Sequence, residues 1–247
     1  MLFKVVLIVS VSLTLNVAMT SSASSKAPDF IHPCPAGTPS CLQRVVQDAV
    51  PGFVHGVPEL GIDSLDPFKV DRLSLTLPGG VNVTILNGVT TGFSKCKVMS
   101  ASMRNSDVEV SVRCNVVVKG KYKSSGRLLI FPIDGEGDAV IKCKNLDISV
   151  TMKMGPVVEK DGQMYLNMKS YKSRHQYSGK VVYHMTNLIR NSPEISKRVV
   201  QFMNSNWRLI AEEFGDPVVQ FGIRSIMSNV RRLLQQVPRA SLLTNVV

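Results

Sequence analysis

The side chains of this chain best suited to nucleophilic, acid–base or metal chemistry are four histidines, His32, His55, His175 and His184, and five cysteines, Cys34, Cys41, Cys96, Cys114 and Cys143. Their spacing serves none of these purposes. No His-Glu-x-x-His pair, nucleophile elbow or phosphate-binding glycine loop occurs, so no local pattern sets a base beside a nucleophile or two ligands on one metal. The acidic run Asp134-Gly-Glu-Gly-Asp138 carries too few oxygen ligands for a calcium loop and reads as a hairpin turn. No catalytic residue, metal or cofactor is expected, and the chain does not read as an enzyme.

The cysteines point to structure. Cys34 and Cys41 flank a loop containing Pro35, Gly37 and Pro39, which can turn back on itself, so a local bridge is expected. Closing so short a ring contributes about 2–3 kcal/mol. Cys96, Cys114 and Cys143 cannot all pair within one chain, and no sequence feature chooses among them. Cys114 follows Val108, Val110 and Val112 on one strand face, the setting of a buried, inert thiol. Asn82-Val-Thr84 is a glycosylation sequon; if Val81, Val83 and Ile85 face inward, Asn82 faces solvent.

These residues sit in a strand-rich chain that ends in helices. Leu42, Val45, Val46 and Ala49 form the apolar face of a short helix capped by Ser40 and ended by Pro51-Gly52. Alternating strands follow at Leu73–Leu77 and Val81–Leu86, then at Val108–Val116 and Leu128–Ile133. Ala139–Cys143 and Leu146–Met152 have opposite parity, which a bulge near Lys144-Asn145 reconciles while curving the sheet. Strands at Met164–Ser170 and Val181–Met185 complete the set. The period then changes to three and four: Ile195, Val199, Phe202, Met203, Ile210 and Phe214 predict a helix of about five turns ended by Gly215. Val219, Ile223, Ile226, Val230, Leu233 and Val237 stripe a second helix, which Asp216-Pro217 starts and Pro238 stops. The expected class is α+β.

Residues 1–23 read as a cleaved export signal. Lys4 precedes an apolar run, and Ser21, Ser22 and Ala23 offer small residues for cleavage. Residues 24–247 then form a single exported domain. The 29 Lys plus Arg against 18 Asp plus Glu are dispersed, with no zinc-finger or RNA-binding pattern, so nucleic acid is not an expected partner. Such a basic surface is compatible with simple solubility or with an anionic membrane.

The landmarks at the two ends of the chain resemble the insect takeout and haemolymph juvenile-hormone-binding family, one of the tubular lipid-binding proteins. The matching parts are Cys34 and Cys41, Gly61-Ile62 with Leu65-Asp66-Pro67, and Leu188 through Trp207 to Pro217. The resemblance implies a long C-terminal helix wrapped by a strongly curved antiparallel sheet, with an elongated apolar tunnel between them. It implies a secreted, monomeric carrier of a small hydrophobic ligand such as a terpenoid, juvenile hormone or a fatty acid. A membrane-facing lipid-transfer protein using the basic surface is the alternative. Candidate lining residues on strands are Val110, Val112, Ile130 and Ile148, with Tyr165 and Tyr183 able to meet a polar head group. Candidates on the helix are Val199, Phe202, Met203 and Ile210. The chain departs from the moth carriers in one respect: they tie the long helix to the sheet by a second bridge. Here no cysteine follows Cys143.

Overall fold

A computed structural model describes residues 27–35 and 37–244; the expected export segment 1–23 lies outside them. The chain begins with β1 (Cys34–Pro35) and α1 (Pro39–His55), then β2 (Phe68–Leu77), β3 (Val81–Thr91) and β4 (Lys97–Arg104). Next come β5 (Asp107–Leu128), β6 (Phe131–Met154), the small hairpin β7 (Val158–Lys160) and β8 (Gln163–Tyr165), then β9 (Met168–Tyr177) and β10 (Val181–Met185). Helices α2 (Pro193–Ser205), α3 (Trp207–Phe214), α4 (Asp216–Gln236) and α5 (Arg239–Leu242) lead to β11 (Leu243–Thr244), which pairs in parallel with β1.

The hairpin of β5 and β6, strands of 22 and 24 residues, is the spine. Each spine strand is long enough to take different neighbours at its two ends. Towards the hairpin tip β3 pairs β5 and β10 pairs β6, with β2 outside β3. Towards the other end β4 pairs β5 and β9 pairs β6. All these pairings are antiparallel. The join lies at the expected bulge: Cys114 faces Leu146, but Val116 faces Cys143. Asn145 adopts φ 48°, and its N–H donates to Asn115 Oδ1 at 2.8 Å. The extra residue flips the parity of β6, so Ile141 and Cys143 on one side and Leu146 and Ile148 on the other all join the core.

Three expectations are corrected. The spine turns at Leu129-Ile130, with Leu129 at φ 54°, and residues 134–138 lie within β6. Gly135 and Gly137 are there for close approach: a Cβ on them would stand 2.0 Å from Asn187 O and 2.3 Å from Thr186 O. Helix α1 runs through Pro51 to His55, where Phe30 packs against Gly52 so closely that a Cβ would fall 2.3 Å from its ring. The five-turn helix is two helices, broken at Asn206 (φ −111°, ψ 33°). There the Asn206 side chain donates to Phe202 O at 3.0 Å, capping the end of α2.

Helix α4 is held without a covalent tie. Buried Asn229 donates to Asp63 O at 2.7 Å, Arg232 donates to Gly61 O at 2.6 Å and to the Asp63 carboxylate at 2.7 Å, and Gln236 donates to Leu60 O at 2.6 Å. The loop that receives them is braced in turn. Leu65 and Asp66 donate their N–H groups to Val54 O at 2.7 and 3.0 Å. The Asp66 carboxylate accepts from Gly92 N–H at 3.1 Å, Ser94 N–H at 2.7 Å and Ser94 Oγ at 2.5 Å. Burial alone would raise the Asp66 pKa, but the Ser94 and Gly92 hydrogen bonds outweigh it and the net shift is downward. A depressed folded-state pKa contributes stability that is present above the unfolded value and lost as pH falls through the folded one. Asp66→Asn should therefore lower stability at neutral pH by about 1–2 kcal/mol. Its thermal melts should converge with wild type only below the depressed folded-state pKa of Asp66, which lies under the usual carboxylate value, where both side chains are neutral.

Candidate ligand-binding site

The helices do not close fully on the sheet. Under α1 and the C-terminal part of α4, over the β4–β9 half, lies a cavity of about 330 Å³. A second, of about 210 Å³, lies under α2, α3 and the start of α4, over the β3–β10 half. The walls are mostly short aliphatic side chains, which cannot reach across the space between helix and curved sheet. Val108, Val110, Val112 and Cys114 of β5 line the first cavity, and Val116, Val118 and Tyr122 continue the same face in the second. On α4, Ile223 lines the first and Val219, one turn earlier, the second. The two cavities thus lie end to end along the spine, one on each side of the bulge.

Their polarity differs. In the first cavity the titratable lining residue is His32, which is exposed; the rest is aliphatic or aromatic apart from the bonded cysteines Cys96 and Cys114. The second is bordered by Tyr122, Tyr177, Tyr183 and Cys143, all buried. Tyr122 donates to Thr186 O at 2.8 Å, and burial pushes its pKa to about 12. Burial likewise pushes the Cys143 thiol to about 11, and raises both Tyr177 and Tyr183. No buried ion pair crosses either cavity among the described residues.

Val110, Val112 and Ile148 line the first cavity; Tyr183, Met203 and Ile210 line the second. The other candidates line neither. Val199 is packed in the core at 1% exposure. Phe202 meets Phe131 edge-on, with ring centroids 5.1 Å apart. Ile130 stands at the hairpin tip, 78% exposed, because the turn falls there rather than at residues 134–138. Tyr165 lies in the β7–β8 hairpin and bridges to Pro238. Two covers of the first cavity were not among the candidates: Val45, Val46 and Ala49 of α1, and Ile226, Val230 and Leu233 of α4. Both were legible as apolar stripes; their position over the sheet was not.

The cysteines also differ from expectation in part. Cys34 is joined to Cys41, and Cys96 to Cys114. Cys114 is therefore bonded, and the buried free thiol is Cys143. The pairing follows from the β4–β5 hairpin: Lys97 faces Arg113, which sets Cys96 opposite Cys114 with Cα atoms 4.4 Å apart. The signal was the turn at Asn105-Ser106, about which the two cysteines are nearly symmetric.

The chain's sequence matches the family described as haemolymph juvenile hormone binding protein over residues 9–244. The chain belongs to this family. It is a family of binding proteins, not enzymes. The chain is similar to the circadian clock-controlled protein daywake of Drosophila melanogaster, 24% identical over 94% of each chain. It is also similar to the Drosophila yakuba protein of that name, 24% identical over 76% of this chain and 77% of that one. The crystal structure of Epiphyas postvittana Takeout 1 superposes with a TM-score of 0.82 at 28% identity, covering 87% of this chain and all of that one.

The thiol arrangement predicts a labelling pattern. Native, unreduced protein should take up no alkylating reagent at neutral pH, because Cys143 is buried and little of it is thiolate. Unfolding without reductant should expose one reactive thiol, which Cys143→Ser removes. Peptide mapping that finds Cys96 or Cys114 alkylated in that state would contradict the pairing.

Proposed function

We propose that the protein is a secreted, monomeric carrier that encloses one small hydrophobic molecule in these cavities. The observation that carries this reading is a paired apolar space in the protein's interior, under helices whose apolar faces make its roof. Ligand sites of this kind are mostly apolar, with a few polar groups that orient the bound molecule. Moving apolar area out of water into such a space gains about 25 cal/mol per Å². One chain forms both walls and roof, which supports action as a monomer. A terpenoid such as juvenile hormone, a fatty acid or a related lipid fits this chemistry.

Two disulfides fit an oxidising extracellular setting, in keeping with the export signal read at residues 1–23. Asn82 is exposed on β3, next to the strand edge partner Thr76 that donates to its Oδ1 at 2.9 Å, so the sequon is open to glycosylation. Protein from a secretory host should begin near Ser24 and lose glycan mass on Asn82→Gln; intact mass spectrometry reads both. Docking on an anionic membrane is the weaker reading. Basic residues of the outer sheet face are interleaved with acids, Arg113 with Asp147 at 2.6 Å and Lys123 with Glu136 at 2.8 Å, which disperses the positive field.

The test is to fill the space. Val110→Trp in the first cavity and Ile210→Trp in the second should each weaken a fluorescent fatty-acyl probe by about tenfold, since losing roughly 60 Å² of contact costs ~1.5 kcal/mol. Both variants should keep a cooperative melt. Unchanged probe affinity in two folded variants would place the ligand elsewhere.

A further inference from the structure

The turn that closes the spine breaks the usual chemistry of such turns. Leu128 faces Phe131, so the loop is the two residues Leu129-Ile130. Two-residue hairpin loops place Gly, Asn or Asp where φ is positive. Other turns of this chain comply: Gly79 and Gly80 after β2, Asn105 after β4, and Asp161 with Gly162 after β7 all have positive φ. Among the described residues, six of the seven non-glycine residues with positive φ are Asn or Asp, and the seventh is Leu129. Its side chain folds back against the core, which leaves Ile130 projecting, 78% exposed.

A second exposed isoleucine stands at the same end. Ile195, in the first turn of α2, is 52% exposed, and these two are the most exposed large hydrophobic side chains among the described residues. The next residue, Ser196, accepts from Ile189 N–H at 2.9 Å and donates to Ile189 O at 3.1 Å. Ile189 in turn bridges to Asp134, four residues from the tip. Further along α2, Phe202 meets Phe131, so α2 lies beside the start of β6. A lone exposed hydrophobe is ordinary. Two at one end, one of them in a turn that calls for glycine or Asn, are not.

Charge and the interior both suit a lipid partner. Lys123 is paired with Glu136 and Arg190 with Asp134. Arg127, Lys197 and Arg198 are exposed and have no ion-pair partner among the described residues, while α2 carries a single acid, Glu194. Apolar side chains with cations around them complement a phospholipid surface, where phosphates lie outside the acyl chains. Leu128 and Ile133, on either side of the tip, line the second cavity, as does Leu188. The exposed isoleucines therefore mark an end of the apolar interior.

The geometry points to a membrane-docking end: Ile130 and Ile195 enter the acyl layer of a phospholipid surface, Arg127, Lys197 and Arg198 meet its phosphates, and the second cavity is brought against the lipid that it loads from or delivers to. This rests on the carrier reading and names its partner and the end that meets it. The contact is apolar first, so it does not depend on the positive field that the outer sheet face disperses.

The experiment uses the secreted protein with phosphatidylcholine vesicles, with and without about 20% phosphatidylserine. It reads co-sedimentation, and the rate at which a bound fluorescent fatty-acyl probe passes to the vesicles. Wild type should co-sediment and should transfer faster as vesicle concentration rises. Ile130→Asn/Ile195→Gln changes two exposed residues that line neither cavity, so its melt and its probe affinity in solution should stay the same. It should bind vesicles at least about tenfold more weakly, as burial of an isoleucine implies, and transfer at a rate independent of vesicle concentration. Ile130→Trp should bind more tightly than wild type. Equal vesicle binding by wild type and the double variant, or wild-type transfer independent of vesicle concentration, overturns the docking end and leaves the carrier reading standing. A concentration-dependent dimer that the double variant loses, without vesicle binding, assigns the isoleucines to a second copy and also overturns it. If no probe binds in solution the carrier reading fails, and co-sedimentation alone then decides the docking end.

Discussion

Helix α4 roofs both cavities, and what holds it down is a row of side-chain hydrogen bonds to the backbone of one loop. Asn229, Arg232 and Gln236 reach the carbonyls of Asp63, Gly61 and Leu60. The Asn229 amide is 2% exposed, so removing it would strand the buried backbone groups it meets, at a cost of about 1–3 kcal/mol. The same loop is tied to α1 through Val54 and to the end of β3 through Asp66. One short segment therefore sets the spacing of roof, side helix and sheet. It does so without a disulfide, since no cysteine follows Cys143. The second bridge of this chain lies within the β4–β5 hairpin, and the roof is secured by these hydrogen bonds together with the apolar packing of Ile223, Met227 and Leu233.

Much of this was legible beforehand. Period-two patterning marks β5, period-three-and-four patterning marks α2 to α4, and the parity change across Lys144-Asn145 marks the bulge that joins the two halves. What misled was local chemistry serving a tertiary purpose. Gly135 and Gly137 read as a turn, yet they clear space for the backbone of 186–188. Pro51 and Gly52 read as a stop, yet Phe30 needs the glycine and the helix continues past both. The break at Asn206 interrupts an unbroken apolar stripe, because Asn204 and Asn206 spend their amides on β10 and on the end of α2. Of the candidate lining residues, Val110 and Val112 of β5, Ile148 of β6, Tyr183 of β10, Met203 of α2 and Ile210 of α3 border the cavities, whereas Val199 and Phe202 pack in the core and Ile130 moved out with the turn. Periodicity says which face is apolar. It does not say whether that face touches another wall or an empty space.

The interior is graded. One end is bounded by aliphatic side chains and two disulfide-bonded cysteines, the other by tyrosines whose hydroxyls burial keeps protonated. The bulge matters here too, because it lets one continuous hairpin present inward-facing residues to both cavities while curving enough to leave them open.

The central claim is that this space holds a hydrophobic molecule. Native mass spectrometry of the protein purified from a secretory host, with organic extraction of whatever accompanies it, tests that claim most directly. The account predicts an adduct near one per chain that extracts as a terpenoid or fatty-acyl compound. A protein that is empty as purified, and that stays empty after incubation with such compounds, would contradict it.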